Sequence, residues 1–262
     1  MSAPILSPAE AASLLEPLTE LVRAAGRAIL DVPRNGLVTV KKTDGSPVTQ
    51  ADHNADQIIA EGLARLVPHI PVVSEEHAAP DGPLDGSFFM IDPLDGTREF
   101  VAGRDEYSVN IALVTRSVPV LGVIAAPALH TVWRGHADRA EKLAGNEPAV
   151  AIRTRAFDAQ NCVAMVSRSH LDMQTAAFVA GYSARHEPMG SALKFCRIAE
   201  GKADIYPRLA QTCEWDVAAG YALVTAAGGR VTDGEGDTLR FGRRETQFRV
   251  PNFIARGDRT TR

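Results

Sequence analysis

The run Phe88-Phe89-Met90-Ile91, followed directly by Asp92-Pro93-Leu94-Asp95-Gly96-Thr97, constrains this chain more than any other segment. Consecutive large apolar residues without polar alternation read as a strand buried on both faces. A chain with such a strand needs apolar layers above and below it. Pro93 lacks an N–H, so the ladder is expected to stop there. Asp92 and Asp95 then sit close together at the strand's end, and like charges so placed need a cation or a shared proton. Gly96-Thr97 adds a flexible turn whose backbone N–H groups suit a phosphate if a helix begins there. Carboxylates for a metal beside amides for a phosphate suggest metal-assisted phosphoryl chemistry. The plainer reading is an Asp-rich turn after a strand.

The rest of the chain has the material for those layers. With 262 residues, 45% hydrophobic and 23% charged, it can form one large domain or two lobes sharing an interface. Leu14, Leu15, Leu18, Leu21 and Val22 predict a helix over 11–30. Thr49 can cap a second helix running to about Val67, with Ala55, Ile58, Ile59, Leu63 and Leu66 on one stripe and Pro68 and Pro71 as stops. From Phe88 onward, β-rich runs over 109–114, 118–126 and 131–134, with a hairpin turn at Arg116-Ser117, read as an antiparallel meander. Beyond about residue 150, strand-like 163–166 and 203–206 alternate with helical stretches over 171–180, 191–200 and 216–227. The expected fold class is α/β: an α+β first lobe with an antiparallel sheet over 1–150 and an α/β second lobe over 151–262. These are two lobes of one catalytic unit, with the site between them.

A net charge of −4 argues against a nucleic-acid polymer as partner, because phosphate backbones demand clustered Lys and Arg. A small phosphorylated substrate needs only a local pocket. Cys162, Cys196 and Cys213 show no metal-knuckle or redox spacing and read as small buried core residues in a reducing compartment. The N-terminal segment lacks a basic start and a continuous apolar stretch, and no apolar run is long enough to cross a bilayer. The expectation is a soluble, cytoplasmic protein, with a homodimer as an open possibility.

Further carboxylates join the aspartate pair. Glu75-Glu76 follows a short strand over 71–74, and two neighbouring strand ends would bring Glu75 beside Asp92 and Asp95. Alone, such a pair is usually just solvated. Asp52 sits in the first turn of the second helix, favourable for the helix dipole, yet also near its apolar stripe, where a carboxylate is costly unless paired or metal-linked. Asp216, in Trp215-Asp216-Val217-Ala218-Ala219-Gly220, reads either as an N-cap or as a ligand on a helix whose small-residue face allows close approach. With no convergent His or Cys, hard all-oxygen coordination suits Mg²⁺ or Mn²⁺, and the Leu94 carbonyl is a further oxygen.

Taken together, these strings resemble the inositol monophosphatase superfamily of Mg²⁺-dependent, lithium-sensitive phosphatases. Asp92-Pro93-Leu94-Asp95-Gly96-Thr97 with Phe100 is similar to the family's first signature, and Trp215 to Gly220 with Gly228-Gly229 to its second. Ala102 departs from the usual polar residue of the first signature at a position that is not a ligand. The likeness runs from about Leu14 to Thr232 and implies a layered αβαβα sugar-phosphatase-like fold. Within the superfamily the chain most resembles the bacterial CysQ-type 3′(2′),5′-bisphosphate nucleotidases. Lys42-Thr43-Asp44-Gly45-Ser46-Pro47-Val48-Thr49, Ser167-Arg168-Ser169-His170, Gly190-Ser191-Ala192-Leu193-Lys194 and Tyr206-Pro207-Arg208 carry that likeness.

The resemblance implies Glu75, Asp92, Asp95, Asp216 and the Leu94 carbonyl as metal ligands. Asp52 and Thr97, with Glu75, form the catalytic set that organises the attacking water. The Gly96 and Thr97 amides hold the scissile phosphate. Asp216, His170, Gly190, Ser191, Lys194 and Arg208 border the rest of the nucleotide. The implied reaction is hydrolysis of adenosine 3′,5′-bisphosphate to AMP and phosphate by metal-activated water. An inositol-1-phosphate or histidinol-phosphate phosphatase would share the metal chemistry and differ at the rim. A non-catalytic nucleotide sensor would not need the whole water-activating set.

Overall fold

The computed structural model describes residues 4–33, 38–41, 47–77, 79–158, 160–182 and 184–257. The helix expected over 11–30 is two helices, α1 (Pro8–Ser13) and α2 (Leu15–Leu30), broken at Leu14. Pro17 accounts for the break, since it offers no N–H to the Ser13 carbonyl and its ring crowds that oxygen. Ser7 caps α1 reciprocally with Glu10. A short antiparallel ribbon, β1 (Val40–Lys41) with β2 (Pro47–Val48), leads into α3 (Gln50–Leu66). Thr49 caps α3 as its sequence predicts, in a capping box with Asp52. Residues 42–46 of the Lys42-to-Thr49 string lie outside the described residues.

The first large sheet has seven strands: β3 (Val72–Ser74), β4 (Ser87–Asp95), β5 (Ser108–Thr115), β6 (Val118–Ala126), β7 (Thr131–His136), β8 (Arg139–Ala144) and β9 (Val150–Ala151), in that order. It is antiparallel except for β3, which runs parallel to β4, so the sheet is mixed rather than wholly antiparallel as expected. The Arg116-Ser117 hairpin turn forms with both residues at positive φ, 50° and 63°. That is the primed-turn geometry that matches strand twist. Between β4 and β5 lies the short helix α4 (Thr97–Val101).

A second sheet of five strands follows, in the order β11–β10–β12–β16–β14. Its members are β10 (Cys162–Ser167), β11 (Ala184–Met189), β12 (Ile205–Arg208), β14 (Gly229–Thr232) and β16 (Phe253–Gly257). Strand β10 is parallel to β11 and β12, and β16 is antiparallel to β12 and β14. The helices of this half are α5 (Met173–Ala180), α6 (Leu193–Ala199) and α7 (Trp215–Ala226). A small ribbon pairs β13 (Thr212–Cys213) with β15 (Arg249–Val250).

The two-sided burial of β4 dictates the layering. Phe89 and Ile91 pack with α2 and α3, while Phe88 and Met90 face the core shared with α6, α7 and the second sheet. A third, smaller cluster lies under α5 around Ala164, Val166 and Val179. The order α2/α3, large sheet, α6/α7, second sheet, α5 is a layered α/β fold.

Helix α7 approaches the large sheet very closely. A Cβ on Gly122 of β6 would lie 2.2 Å from the Ala219 carbonyl oxygen. This is the close packing that the small-residue face of α7 predicts. Gly122→Ala is therefore expected to cost on the order of 3 kcal/mol, because the obstacle is backbone that cannot rotate away. Urea denaturation measures it, and a change below about 0.5 kcal/mol would contradict this packing.

Candidate active site

The strand β4 does not end at Pro93. It runs to Asp95, and the register on β5 passes from Asp92↔Asn110 to Asp95↔Ser108, so β4 carries one residue more than its partner. Pro93 is accommodated in this bulge, where a missing N–H breaks no ladder bond. The bulge also has a chemical consequence. Residues three apart on a regular strand point to opposite faces, but one extra residue restores the same face. Asp92 and Asp95 are thereby both turned toward α6 and α7.

Glu75 reaches the same place because β3 is parallel to β4. Ser74 pairs with Ile91, and the Glu75 amide donates to the Ile91 carbonyl at 3.3 Å. The turn beyond β3 is fixed from behind by Asp56 on α3. Asp56 accepts from Ser74 Oγ at 2.7 Å and lies 2.8 Å from His77 Nδ1. Across the gap, Asp216 is in the first turn of α7, whose N-cap is Glu214 rather than Asp216 itself. The Thr212 hydroxyl and the Cys213 amide donate to its carboxylate.

Carboxylate oxygens of Glu75, Asp92 and Asp216 lie within 4.8 Å of one another. Asp92 is buried, so this concentration of negative charge in low dielectric is costly without a cation. Asp95 stands beside the group. Burial pushes its carboxyl above the usual carboxylate range and the charge of Asp216 adds to the effect. The Asn110 side chain donates to it at 3.4 Å. An all-carboxylate cluster without His or Cys fits a hard divalent cation. Glu75, Asp92 and Asp216 are the residues that would hold it.

Asp52 approaches from the α2/α3 layer and is almost fully buried. One carboxylate oxygen accepts from the Thr49 amide and hydroxyl at 2.8 and 2.7 Å, and the other from Thr97 Oγ at 2.9 Å. Helix capping and a link to Thr97 are thus served by the two oxygens of one side chain. Thr97 Oγ also lies 3.1 Å from the Leu94 carbonyl. Gly96, at φ 92°, is the N-cap of α4 and makes the turn that a Cβ would strain.

Glu75, Asp92, Leu94, Asp95, Thr97 and Asp216 line a cavity of about 280 Å³, with Asp52 behind Thr97 and outside the lining. Gly96, Thr97, His170, Gly190, Ser191, Lys194 and Arg208 all line it with the acidic residues, as do Ser167 and Tyr206. The structure thus brings together every site residue named from the sequence. Lys194 is held more tightly than its sequence neighbourhood suggests. It neither snorkels to solvent nor presents a free ammonium: Nζ is buried, donates to the Met189 and Ser191 carbonyls at 3.1 and 2.5 Å, and sits 5.0 Å from the Tyr206 ring centroid. Burial lowers its pKa, with Asp95 opposing. Arg208 has a buried Nε without a hydrogen-bond partner. The imidazole of His170 is held below its ordinary pKa, by desolvation first and then by Arg98 and Arg208.

Cys213 is a correction. Unlike the buried Cys162 and Cys196 it is only partly buried, lines the cavity and accepts a hydrogen bond from Arg249 at 3.1 Å. Sequence reasoning also passed over Arg98, Glu99 and Arg249, which line the same cavity. Glu99 is the least expected, since glutamates are seldom buried, yet its side chain is. The one available signal was its place inside the first signature.

The sequence profile of the inositol monophosphatase family matches residues 10–257. The chain is 39% identical over 249 residues to the 3′(2′),5′-bisphosphate nucleotidase CysQ of Salmonella typhimurium, covering 92% of this chain and 98% of the relative. It is 38% identical over 247 residues to the protein of that name from Escherichia coli K12, with the same coverage. Among solved structures, CysQ of Bacteroides thetaiotaomicron superposes with a TM-score of 0.77 at 32% identity, over 94% of this chain and 98% of that one. The Thermotoga maritima IMPase does so at 0.75 and 27%, over 93% and 92%. With its bulged acidic strand, the carboxylate across from it on α7 and a match along nearly its whole length, the chain belongs to the inositol monophosphatase family.

Proposed function

We propose that this chain is a Mg²⁺-dependent 3′(2′),5′-bisphosphate nucleotidase that hydrolyses adenosine 3′,5′-bisphosphate to AMP and phosphate. The observation that carries the reading is the placement of Arg208. It adds a cation with an unpartnered buried Nε to the cavity that the acidic cluster also lines. A substrate with one phosphate to cleave and a second to anchor suits a cavity that offers both a metal-binding cluster and a guanidinium. The relatives' shared name supports the same assignment.

Glu75, Asp92 and Asp216 would hold the cation, and Asp95 and the Leu94 carbonyl would offer further oxygens. When bound, a divalent ion supplies Lewis-acid charge to the nucleophilic water and the phosphoryl oxygens. The chain's own part is positioning and proton handling. Thr97 donates its hydroxyl hydrogen bond to Asp52, so its oxygen lone pairs are left to accept a hydrogen bond from the attacking water. Water adds to phosphorus and passes one proton through Thr97 to Asp52, the bond to the 3′-oxygen breaks, and that oxygen takes a proton from solvent while Asp52 returns its own. The amides of Gly96 and Thr97 hold the phosphoryl oxygens. His170, less basic than usual, is neutral near pH 7 and suits the ribose or base. Hard oxygen donors favour Mg²⁺, with Mn²⁺ as a substitute, and Li⁺ is expected to inhibit. The same reading puts the enzyme in the cytoplasm, where unpaired cysteines persist. Among the described residues no helix is long and apolar enough to cross a membrane.

A substrate panel tests the proposal. Adenosine 3′,5′-bisphosphate should exceed both inositol 1-phosphate and 5′-AMP in kcat/KM by at least about tenfold. Arg208→Gln should erase most of that preference and raise KM for the bisphosphate, because it removes binding to a group remote from the chemistry. Equal or better turnover of inositol 1-phosphate by the wild type would make this an inositol phosphatase.

A further inference from the structure

The string Ser167-Arg168-Ser169-His170 divides its work. Ser167 and His170 line the cavity, whereas Arg168 and Ser169 do not. Arg168 instead forms a two-pronged pair with Glu106: Nε donates to Oε2 and Nη2 to Oε1, each at 2.6 Å. Nη2 also donates to the Pro188 carbonyl at 2.7 Å. Glu106 Oε2 additionally accepts from the Gly190 amide at 2.9 Å. One carboxylate between α4 and β5 thus gathers the ends of β10 and β11 and the loop entering α6. Ser169 repeats the pattern, donating to buried Glu99 of α4 at 2.5 Å.

The backbone contacts show what the pair holds. A Cβ on Gly190 would lie 2.5 Å from the Glu106 carbonyl oxygen and 2.8 Å from Glu99 Cγ. A Cβ on Gly96 would lie 3.0 Å from the same Glu106 oxygen and 3.4 Å from Ser191 Cβ. The peptide of Glu106 is therefore a common wall between the Gly96 turn and the Gly190-Ser191 loop. Ser191 sits at φ 52°, a conformation the loop adopts only if held. Lys194 holds it from the other side through the Ser191 carbonyl. Burial would raise the Glu106 carboxyl, but Arg168 and the Gly190 amide outweigh it, so the carboxylate stays charged near neutral pH.

We propose that Glu106 and Arg168 are positioning residues for the bisphosphate. The pair fixes the Gly190-Ser191 loop against the Gly96 turn and so sets the span between the phosphate seat and the Arg208 wall. Neither residue touches substrate. The guanidinium of Arg168 is already engaged by Glu106 and Pro188 and is not a phosphate ligand, although its place in the string would suggest one. This rests on the nucleotide reading above.

The test compares Arg168→Met, Arg168→Lys, Glu106→Gln and the double variant Arg168→Met/Glu106→Gln. Substrates are adenosine 3′,5′-bisphosphate and p-nitrophenyl phosphate, which has no second phosphate to position. Arg168→Met and Glu106→Gln are each expected to raise KM for the bisphosphate about tenfold or more, since a misplaced wall loses binding steeply. The kcat values, KM for p-nitrophenyl phosphate and Tm should change little. The double variant should be no worse than the worse single, because both act through one bond pair. Arg168→Lys keeps the charge, loses the fork and should fall between. If Arg168→Met raises KM and Glu106→Gln does not, Arg168 binds substrate itself and the proposal fails. If both leave KM unchanged, the pair is only structural and the proposal fails. A wild type that prefers inositol 1-phosphate would sink the nucleotide reading separately, and the coupling would still be scored on KM for that substrate.

Discussion

Asp92→Asn is expected to lower kcat by at least about 10³-fold under saturating Mg²⁺, the largest single effect in the molecule. The reason is electrostatic. Asp92 is the buried member of the cluster with Glu75 and Asp216, and the regular alternation of β4 beyond Phe88 and Met90 delivers it there. Removing its charge weakens the cation's hold without removing the side chain's volume. The same substitution also relieves repulsion among the carboxylates, so the metal-free protein should melt at the same temperature or higher. The rise in Tm on adding Mg²⁺, which the wild type should show by mass action, should shrink or vanish. A variant that melts normally, loses its Mg²⁺-induced shift and loses turnover fits a metal ligand. Full turnover with the shift intact would mean that the cluster is not the metal site.

Thr97→Ala should come next, with kcat lower by about 10²- to 10⁴-fold. Asp52 keeps its bonds to the Thr49 amide and hydroxyl, so α3 remains capped and the fold should persist. What disappears is the hydroxyl between Asp52 and the nucleophile. The Mg²⁺-induced rise in Tm should survive, which separates this variant from Asp92→Asn. Thr97→Ser, which restores the hydroxyl, should recover to within about tenfold of wild type. An alanine variant within about twofold of wild-type kcat would remove Thr97 from the proton path.

The contrast between these two variants reflects how the site is built, and also how far it was legible in the sequence. The solid apolar run at Phe88 announced a doubly covered strand, and the acidic string behind it announced the chemistry. Both were readable because they are local. Thr49 capping α3 was readable for the same reason, as was the small-residue face of α7. The β4 bulge was not. The absence of an N–H at Pro93 says that a ladder bond is missing, and a strand end and a bulge satisfy that equally well. Only the partner strand β5, counted residue against residue, distinguishes them. The parallel placement of β3 was likewise invisible, because orientation depends on how the chain between Ser74 and Ser87 returns.

The basic residues were the least legible. From the sequence, Lys194 and Arg208 are placed alike, at the border of the nucleotide. Tertiary contacts separate them, since Lys194 Nζ has the Met189 and Ser191 carbonyls to satisfy and Arg208 Nε has no such partner. Arg168 shows the same limit from the other side. Its partner Glu106 lies 62 residues away in sequence, and nothing in the local pattern of either residue points to the other.

Phosphorus NMR on a single reaction reads both the metal requirement and the phosphate that is cut. The purified chain is mixed with adenosine 3′,5′-bisphosphate in excess chelator, and Mg²⁺ is then added beyond the chelator's capacity. No change is expected before the addition. Afterwards the 3′-phosphate resonance should be lost, inorganic phosphate should appear in equal amount, and the 5′-phosphate of AMP should persist. Hydrolysis in chelator, or release of the 5′-phosphate to leave 3′-AMP, would contradict the proposed function.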